Sequence, residues 1–455
     1  MHDNASQKGC TTLTERAGYS YVVSRRRNTT TYWRCSVRNR SNTCPATVTQ
    51  NGATEFRRGQ HKHNHAAAVG VDTAIPLVRS VKDAALQDVF QPASDIVDKQ
   101  LKDVDLSQPC PALPPVANII RIANRYRSTQ RPKDPEDLSF VLDNEHLPAD
   151  FLRADVTQHG QRHLVLASSE CMRLLGLAKS WYIDGTFSVV GKPFKQLLSI
   201  HCFVKSGDCV KQLPLVYVLM SRRKAKDYVA VLSALRDCMS TCNVRCVTSD
   251  FERALWQAVA SVFPGVEHHG CTFHWTQAVY RKIQALGLAV EYRENRSVYR
   301  LCRKLMSLPL VPQCEIPALF SHLKPQALTD ALRRLFDYVD STWVHTDVWP
   351  PSSWSAFRRP IRTNNDVEGW HYRLNRRARS CHLSLYVLIR LLHDETVVSS
   401  KQLKLVTDRK LSRSQKKKYR DLHSKLYNLW EEYEAGSKSA RKLLSACAFI
   451  YGPCE

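Results

Sequence analysis

The stretch Trp181-Tyr182-Ile183-Asp184-Gly185-Thr186-Phe187 constrains this chain more than any other. An apolar run ends on a carboxylate, and a glycine follows at once. That is the pattern of a buried strand delivering Asp184 to its carboxyl edge. A carboxylate there costs free energy to bury unless it is paired or binds a metal. Asp-Gly also ends many strands for turn reasons, so the weight falls on whether other acidic residues converge on Asp184. A second strand-like run, Arg245-Cys246-Val247-Thr248-Ser249, ends on Asp250, and Glu252 to Phe263 resumes as a helix. Between the two, Lys195 to Val204 and Gln212 to Met220 read as strands around the turn Ser206-Gly207-Asp208, and Ala225 to Cys242 has the helical spacing Val229, Leu232, Leu235. Three strands, a helix, a strand and a helix predict an α/β core. Adjacent strand ends in such a sheet gather at one edge and form the ligand crevice.

Two convergent Asp residues suit a divalent cation, which takes hard oxygen ligands. Phosphodiester chemistry commonly uses two such ions about 3.5–4 Å apart, and a third carboxylate is then wanted. Glu368 in Asn364-Asn365-Asp366-Val367-Glu368-Gly369-Trp370-His371 is the candidate. Asn364 or Asn365 reads as an N-cap, so Glu368 falls in the first turn or so of a helix, where a surface Glu is also favoured by the dipole. His371, one turn on, can orient a scissile phosphate or sit on a helix surface. Cys271 and His274 stand one helical turn apart after a strand predicted over Gly265 to Gly270. They can clamp a metal or cap and pack the helix, and a complete zinc site would need partners such as Cys381 and His382, or His268 and His269.

Composition narrows the partner. The formal net charge is +24, from 66 Lys and Arg against 42 Asp and Glu, which points to a polyanion. No stretch approaches the roughly 18 apolar residues of a membrane span, and Met1-His2-Asp3-Asn4 lacks the layout of a signal peptide. Nucleic acid is the better polyanion, and nucleus or cytosol the better compartment. In that setting the 16 cysteines should be reduced. Cys202, Cys238 and Cys246 read as small buried hydrophobes.

Residues 10–66 predict a small antiparallel sheet, with β-type runs at Tyr19 to Val23, Thr31 to Cys35 and Cys44 to Val48. So small a unit needs more than core burial to be stable. Cys35, Cys44, His63 and His65 could supply it as a tetrahedral zinc site, with His61 also available. Residues 1 to 70 carry 11 Lys and Arg against 3 Asp and Glu. That excess, with Arg25-Arg26-Arg27 in a loop, suits phosphate contact or simple solvation.

Residues 67–115 read as a linker in which Val78 to Leu101 could form one or two helices, closed by the spacer Pro109-Cys110-Pro111-Ala112-Leu113-Pro114-Pro115. Residues 116–180 lead into the core and begin with a basic helix, Asn118 to Arg131, equally fit to face DNA or solvent. The core's first part spans 181–280. Residues 281–362 form an intervening stretch, 363–396 carry the third carboxylate and an apolar helix from Leu383 to Thr396, and 397–455 form a basic helical C-terminal region. Lys401 to Lys442 holds 13 Lys and Arg against 5 Asp and Glu. Lys416-Lys417-Lys418 reads as phosphate contact or a nuclear-import signal. Leu422, Leu426, Leu429, Trp430 and Tyr433 mark a face that docks on the chain's own core or on a second copy.

Two resemblances follow from these residues. Tyr32-Trp33-Arg34-Cys35, Cys44-Pro45-Ala46 and His63-Asn64-His65 resemble the FLYWCH-type zinc finger across nearly its whole length. Members of that family bind DNA or protein. Asp184-Gly185-Thr186-Phe187, Asp250-Phe251-Glu252 and Asn364-Asn365-x-x-Glu368-Gly369-x-His371 together resemble the transposase core of Mutator-like elements over roughly residues 116 to 395, and the Cys271-Thr272-Phe273-His274 pair belongs to the same likeness. The resemblance implies a ribonuclease-H-like fold with a helical insertion over the 281–362 stretch. In that fold Asp184, Asp250 and Glu368 hold two Mg²⁺ or Mn²⁺ ions. The expectation is a multidomain chain with a zinc-stabilised β finger, an α/β core and a helical C-terminal region. Three functions compete. The first is a DNA transposase acting on double-stranded element-end DNA in the nucleus. The others are a host-adopted, catalytically silent DNA-binding transcriptional regulator and a structure-selective nuclease.

Overall fold

A computed structural model describes residues 11–15, 17–105, 107, 109–361, 365–414 and 417–450. The chain divides into two compact units, Met1–Lys133 and Asp134–Glu455.

The first unit opens with five strands: β1 (Thr12–Glu15), β2 (Tyr19–Arg27), β3 (Thr30–Cys35), β4 (Thr47–Asn51) and β5 (Glu55–Arg58). They pair antiparallel in chain order. Tyr21, Trp33, Cys35, Cys44, Ala46 and Val48 are the buried set, and Trp33 Nε1 donates to Gln50 Oε1 at 3.0 Å. Arg25, Arg26 and Arg27 are in β2, not in a loop. They pair with Tyr32, Thr31 and Thr30 beyond a bulge at Val23/Arg25. The bulge hides the strand from a period-2 reading.

Three helices follow: α1 (Val71–Gln87), α2 (Ala93–Lys102) and α3 (Val116–Ser128). Leu77, Val81 and Ala85 of α1 meet Ile96 and Val97 of α2 and Ile119 and Ala123 of α3 in one core. The helices expected within Val78 to Leu101 and over Asn118 to Arg131 form, and they pack on one another in a core of their own. The stripe is built of small aliphatics, which makes the periodicity weak in sequence. The proline-rich run is tied back, with Ala112 N donating to Val69 O at 3.1 Å and Cys110 Sγ against Gly70 O at 3.2 Å. Gly70 has φ 84°, and a Cβ there would meet Cys110 Sγ at 2.3 Å, so only glycine fits.

The second unit is built on a seven-stranded sheet. Its elements run β6 (Leu152–Gln158), β7 (Gln161–Leu166), α4 (Ser169–Leu177), β8 (Ser180–Thr186), β9 (Gln196–Ser206), β10 (Cys209–Met220), α5 (Ala225–Asp237), β11 (Cys246–Ser249), α6 (Arg253–Val262) and β12 (Glu267–Gly270). The strand order is β12-β11-β8-β9-β10-β7-β6. β8, β11 and β12 are parallel, while β9, β10, β7 and β6 alternate antiparallel. The sheet is therefore mixed, and β6 and β7 widen it. Period-2 alternation divides β8 between two faces. Trp181 and Ile183 enter the core with α4, α5 and α6, and Tyr182 and Asp184 face the other way.

Beyond the sheet come α7 (Thr272–Ala285), α8 (Ala289–Glu294), α9 (Arg296–Met306), α10 (Ile316–Leu323), α11 (Asp330–Val339) and α12 (Pro351–Trp354). Then follow α13 (Asn365–Ala378), α14 (Leu385–Thr407), α15 (Lys417–Glu434) and α16 (Ala440–Cys447). Helices α7 to α12 share a second core around Trp275, Phe336, Trp343 and Trp354, and Leu426 and Trp430 of α15 enter it. Trp430 Nε1 donates to Leu310 O at 2.8 Å. The C-terminal apolar face thus docks on the chain's own core. The architecture is a β-rich N-terminal region followed by α/β and helical regions. No helix among the described residues is long and apolar enough to cross a membrane.

Candidate active site and metal centre

In the first unit Cys35, Cys44, His63 and His65 come together. Their ligand atoms all lie within 4.8 Å of one another, and this is the sole such group of three or more Cys, His, Asp or Glu among the described residues. Cys35 Sγ is 3.2 Å from His65 Nε2, Cys44 Sγ is 3.4 Å from His63 Nδ1, and the two imidazole nitrogens are 3.2 Å apart. A tetrahedral zinc ion with two sulfur and two nitrogen ligands has edges of roughly 3.3–3.6 Å between unlike donors, so the set fits. The far nitrogens are also engaged, His63 Nε2 with Tyr21 OH at 2.9 Å and His65 Nδ1 with Ala66 O at 2.8 Å. Such contacts fix tautomer and orientation around a metal. Tyr19 stacks flat on His63, with centroids 3.6 Å apart. Burial, with smaller help from His65 and Arg58, holds His63 below its usual range, so the ring is neutral and able to ligate. His61 is exposed and outside the group. Arg25, Arg26 and Arg27 are exposed, with Arg25 over the Tyr32 ring at 4.2 Å.

In the second unit the register of β11 on β8 pairs Cys246 with Ser180 and Thr248 with Tyr182. Continued by two residues, that register brings Asp250 level with Asp184. Burial pushes the Asp184 carboxyl up to about 7, with Asp250 and Glu368 adding like charge and the Gly185 amide opposing. That amide donates to Asp184 Oδ1 at 2.9 Å. Asp250 is also raised, chiefly by burial, against His274, the Glu252 amide and Arg223. Glu368, in the first turn of α13, is pushed up to about 7 by burial. The three carboxyls thus come from inside β8 two residues before its end, from the residue that follows its parallel neighbour β11 and from a distant helix, and each is held partly desolvated.

Two imidazoles stand against them. His371 Nδ1 is 3.8 Å from Asp184 Oδ2, and His274 Nε2 is 4.0 Å from Glu368 Oε1. Burial, then His274, pushes His371 down to about 4, so it is neutral. Beneath it Ser199 Oγ lies 3.4 Å from His371 Nε2 and 2.9 Å from the buried His201 Nε2, and it donates to Asp184 O at 3.3 Å. Helix α13 is held by one buried carboxylate. Glu395 of α14 is fully buried. It accepts Trp370 Nε1 and Arg373 Nη2, each at 2.7 Å, and also Arg377 Nη1. Trp370 in turn stacks on Tyr217 of β10 at 5.6 Å.

The donor set of Asp184, Asp250 and Glu368 fits a divalent cation. It offers hard oxygens whose ion-pair partners within 4.0 Å, among the described residues, are imidazoles. Their oxygens are not gathered as tightly as the finger's four ligands. Cys271 is buried ahead of α7, while His274 turns to the acidic site. The other named partners do not gather on this pair: His268, His269 and His382 each spend one ring nitrogen elsewhere, and Nδ1 of His268 and of His269 is buried without a hydrogen bond among the described residues. His268 meets Ser249 Oγ at 2.8 Å, His269 meets Glu267 at 3.1 Å, His382 Nδ1 meets Val190 O at 2.9 Å, and Cys381 is exposed. No second soft-ligand cluster gathers around Cys271 and His274 among the described residues. Sequence reasoning gave no role to Glu252, which accepts Tyr228 OH at 3.0 Å and is raised by burial and by Asp250 beneath the same edge. It also gave none to Ser199, His201 or Glu395. The alternation of β9 is the signal for the first two, since Ser199 pairs with Asp184. Asn364 and Lys416 lie outside the described residues, as does the side chain of Lys418. Asn365 opens α13, and Lys417 is exposed at the start of α15.

Residues 180–278 match the model of the MULE transposase domain. Residues 5–65 match the FLYWCH zinc finger domain. The first match takes in Asp184, Asp250, Cys271 and His274 and ends before Glu368. No curated protein matches the chain.

Proposed function

We propose that this chain, which carries a MULE transposase domain behind a FLYWCH zinc finger, is a DNA transposase that cuts and joins element-end DNA in the nucleus. The observation that carries this reading is the convergence of Asp184, Asp250 and Glu368 on one sheet edge, each raised by burial and Asp184 also by the charges of the other two. A strand order of three antiparallel strands extended by two parallel ones at β8 supports a ribonuclease-H-like core. Zinc in the finger is supported by the Cys35, Cys44, His63 and His65 geometry.

Asp184, Asp250 and Glu368 would hold Mg²⁺ or Mn²⁺. When bound, such ions lower the pKa of water and stabilise charge on the attacking and leaving oxygens. Neutral His371 orients the group that lies against Asp184, and Ser199 and His201 keep its ring in place. Glu395, through Trp370 and Arg373, fixes the angle of α13 and so the position of Glu368. Arg25, Arg26, Arg27 and the Lys416-Lys417-Lys418 run contact phosphates of double-stranded DNA.

The test is incubation of the purified full chain with the DNA segments that flank its coding sequence, searched first for terminal inverted repeats, in Mn²⁺ or Mg²⁺. Cleaved ends and joined products are expected. A chain that binds the ends but neither cuts nor joins them is the DNA-binding regulator instead.

A further inference from the structure

Three residues beyond Asp184, the chain leaves an aromatic ring in solvent. Phe187 is 47 % exposed. A single exposed ring is ordinary, but this one has a cation on it. The Arg223 guanidinium lies 4.8 Å from its centroid. Arg223 is exposed in the turn after β10. That turn belongs to the acidic edge, because Met220 O accepts Lys195 N at 2.8 Å and Met220 pairs with Gln196 at the start of β9. Its charge reaches both Asp250 and Glu252. The neighbouring Arg222 is committed to Asp227 at 2.8 and 2.9 Å, whereas Arg223 forms no ion pair among the described residues.

A second pair of the same kind stands on the helix that carries Glu368. Tyr372, one turn further on, is 66 % exposed, and Arg376 lies 5.9 Å from its ring centroid. Ser188, next to Phe187, donates to Asn375 Oδ1 at 2.7 Å. Phe187 and Tyr372 are thereby held on adjoining parts of one rim.

A ring face beside a guanidinium matches one ligand chemistry closely. A nucleobase stacks on the ring, and the phosphate of the same nucleotide pairs with the cation. Paired duplex offers the phosphate alone, since its bases are already stacked on one another. We propose that Phe187 with Arg223, aided by Tyr372 with Arg376, is a contact for an unpaired DNA strand at the acidic site. The inference rests on the reading of that site as DNA-processing.

The experiment compares binding of the full chain, without added Mg²⁺ or Mn²⁺, to two fluorescein-labelled probes by anisotropy. One is a fully paired duplex, and the other is the same duplex with a three-nucleotide single-stranded gap. Stacking of one base supports a preference for the gapped probe of roughly five-fold or more. Phe187→Ala should reduce that preference and leave paired-duplex affinity unchanged, Arg223→Ala should weaken binding of both probes and of the gapped one more, and Phe187→Trp should keep the preference. The inference is overturned if the native chain binds both probes equally, or if Phe187→Ala discriminates like the native chain. If a native chain cuts and joins element ends without any gap preference, this inference fails and the transposase reading stands. If the preference disappears in Phe187→Ala but the native chain is inert on its ends, the strand contact stands and the enzyme reading fails.

Discussion

His371 Nδ1 lies 3.8 Å from Asp184 Oδ2. A helix distant in sequence thus lays an imidazole against a carboxylate inside β8, two residues before the strand ends. It can do so because α13 is anchored on the same sheet face, with Trp370 stacked on Tyr217 and bonded to Glu395. Position at the site therefore depends on a residue that touches neither carboxylate nor substrate.

Glu395 is consequently the most sensitive point of α13. A fully buried carboxylate is tolerated only with its partners in place. Here Arg373, Trp370 and Arg377 together hold it below its usual range despite burial. Both arginines are partly exposed, which moderates the expected cost. Glu395→Ala should destabilise the chain by about 2–4 kcal/mol, and Glu395→Gln by less. Urea unfolding measures this, and a native-like midpoint for Glu395→Ala would remove the anchor from the account.

The carboxyl shifts set a pH dependence. Asp184 and Glu368 keep their protons in the folded chain to about pH 7, whereas unfolded carboxylates lose theirs near pH 4. Between those values the folded state binds more protons, so their contribution to stability falls as pH rises from about 4 through 7. Without divalent cation, Asp184→Asn should stabilise the chain at pH 8 by about 1–3 kcal/mol and have little effect at pH 4. Thermal melts at the two pH values check this, and Mn²⁺ should raise the native melting temperature at pH 8 far more than that of the variant.

The finger should contain one zinc ion. Cys35→Ser is expected to lose it and to weaken DNA binding, because the small sheet depends on metal for part of its folding free energy. Elemental analysis of the purified variant decides the point. Zinc content equal to the native chain's would contradict the assignment of Cys35, Cys44, His63 and His65.

Cys271→Ser should leave zinc at the native level, since Cys271 is buried and His274 faces Glu368 rather than a second soft-ligand cluster. A native chain with two zinc ions, reduced to one by this substitution, would restore a metal role for Cys271 and His274.

What could be read from the sequence was whatever has a local signature. The strands ending at Asp184 and Asp250 are apolar runs closed by a carboxylate, and the Cys and His pairs of the finger have short fixed spacings. The helices around Leu77, Ile96 and Ile119 were legible, but their packing into one core was not, because small aliphatics give a faint stripe. Arg25 to Arg27 read as a loop because a bulge interrupts the alternation of β2. Glu395 could not be found at all. It sits among ordinary helix residues, and only the fold brings Trp370, Arg373 and Arg377 to it.

The most direct test of the central claim is cleavage of element-end DNA in Mn²⁺ by the native chain and by Asp184→Asn, Asp250→Asn and Glu368→Gln. If the three carboxylates act together on the reacting phosphate, each substitution should lower the cleavage rate by roughly a hundred-fold or more while end-DNA binding persists. Native-like cleavage by Asp184→Asn would contradict the account.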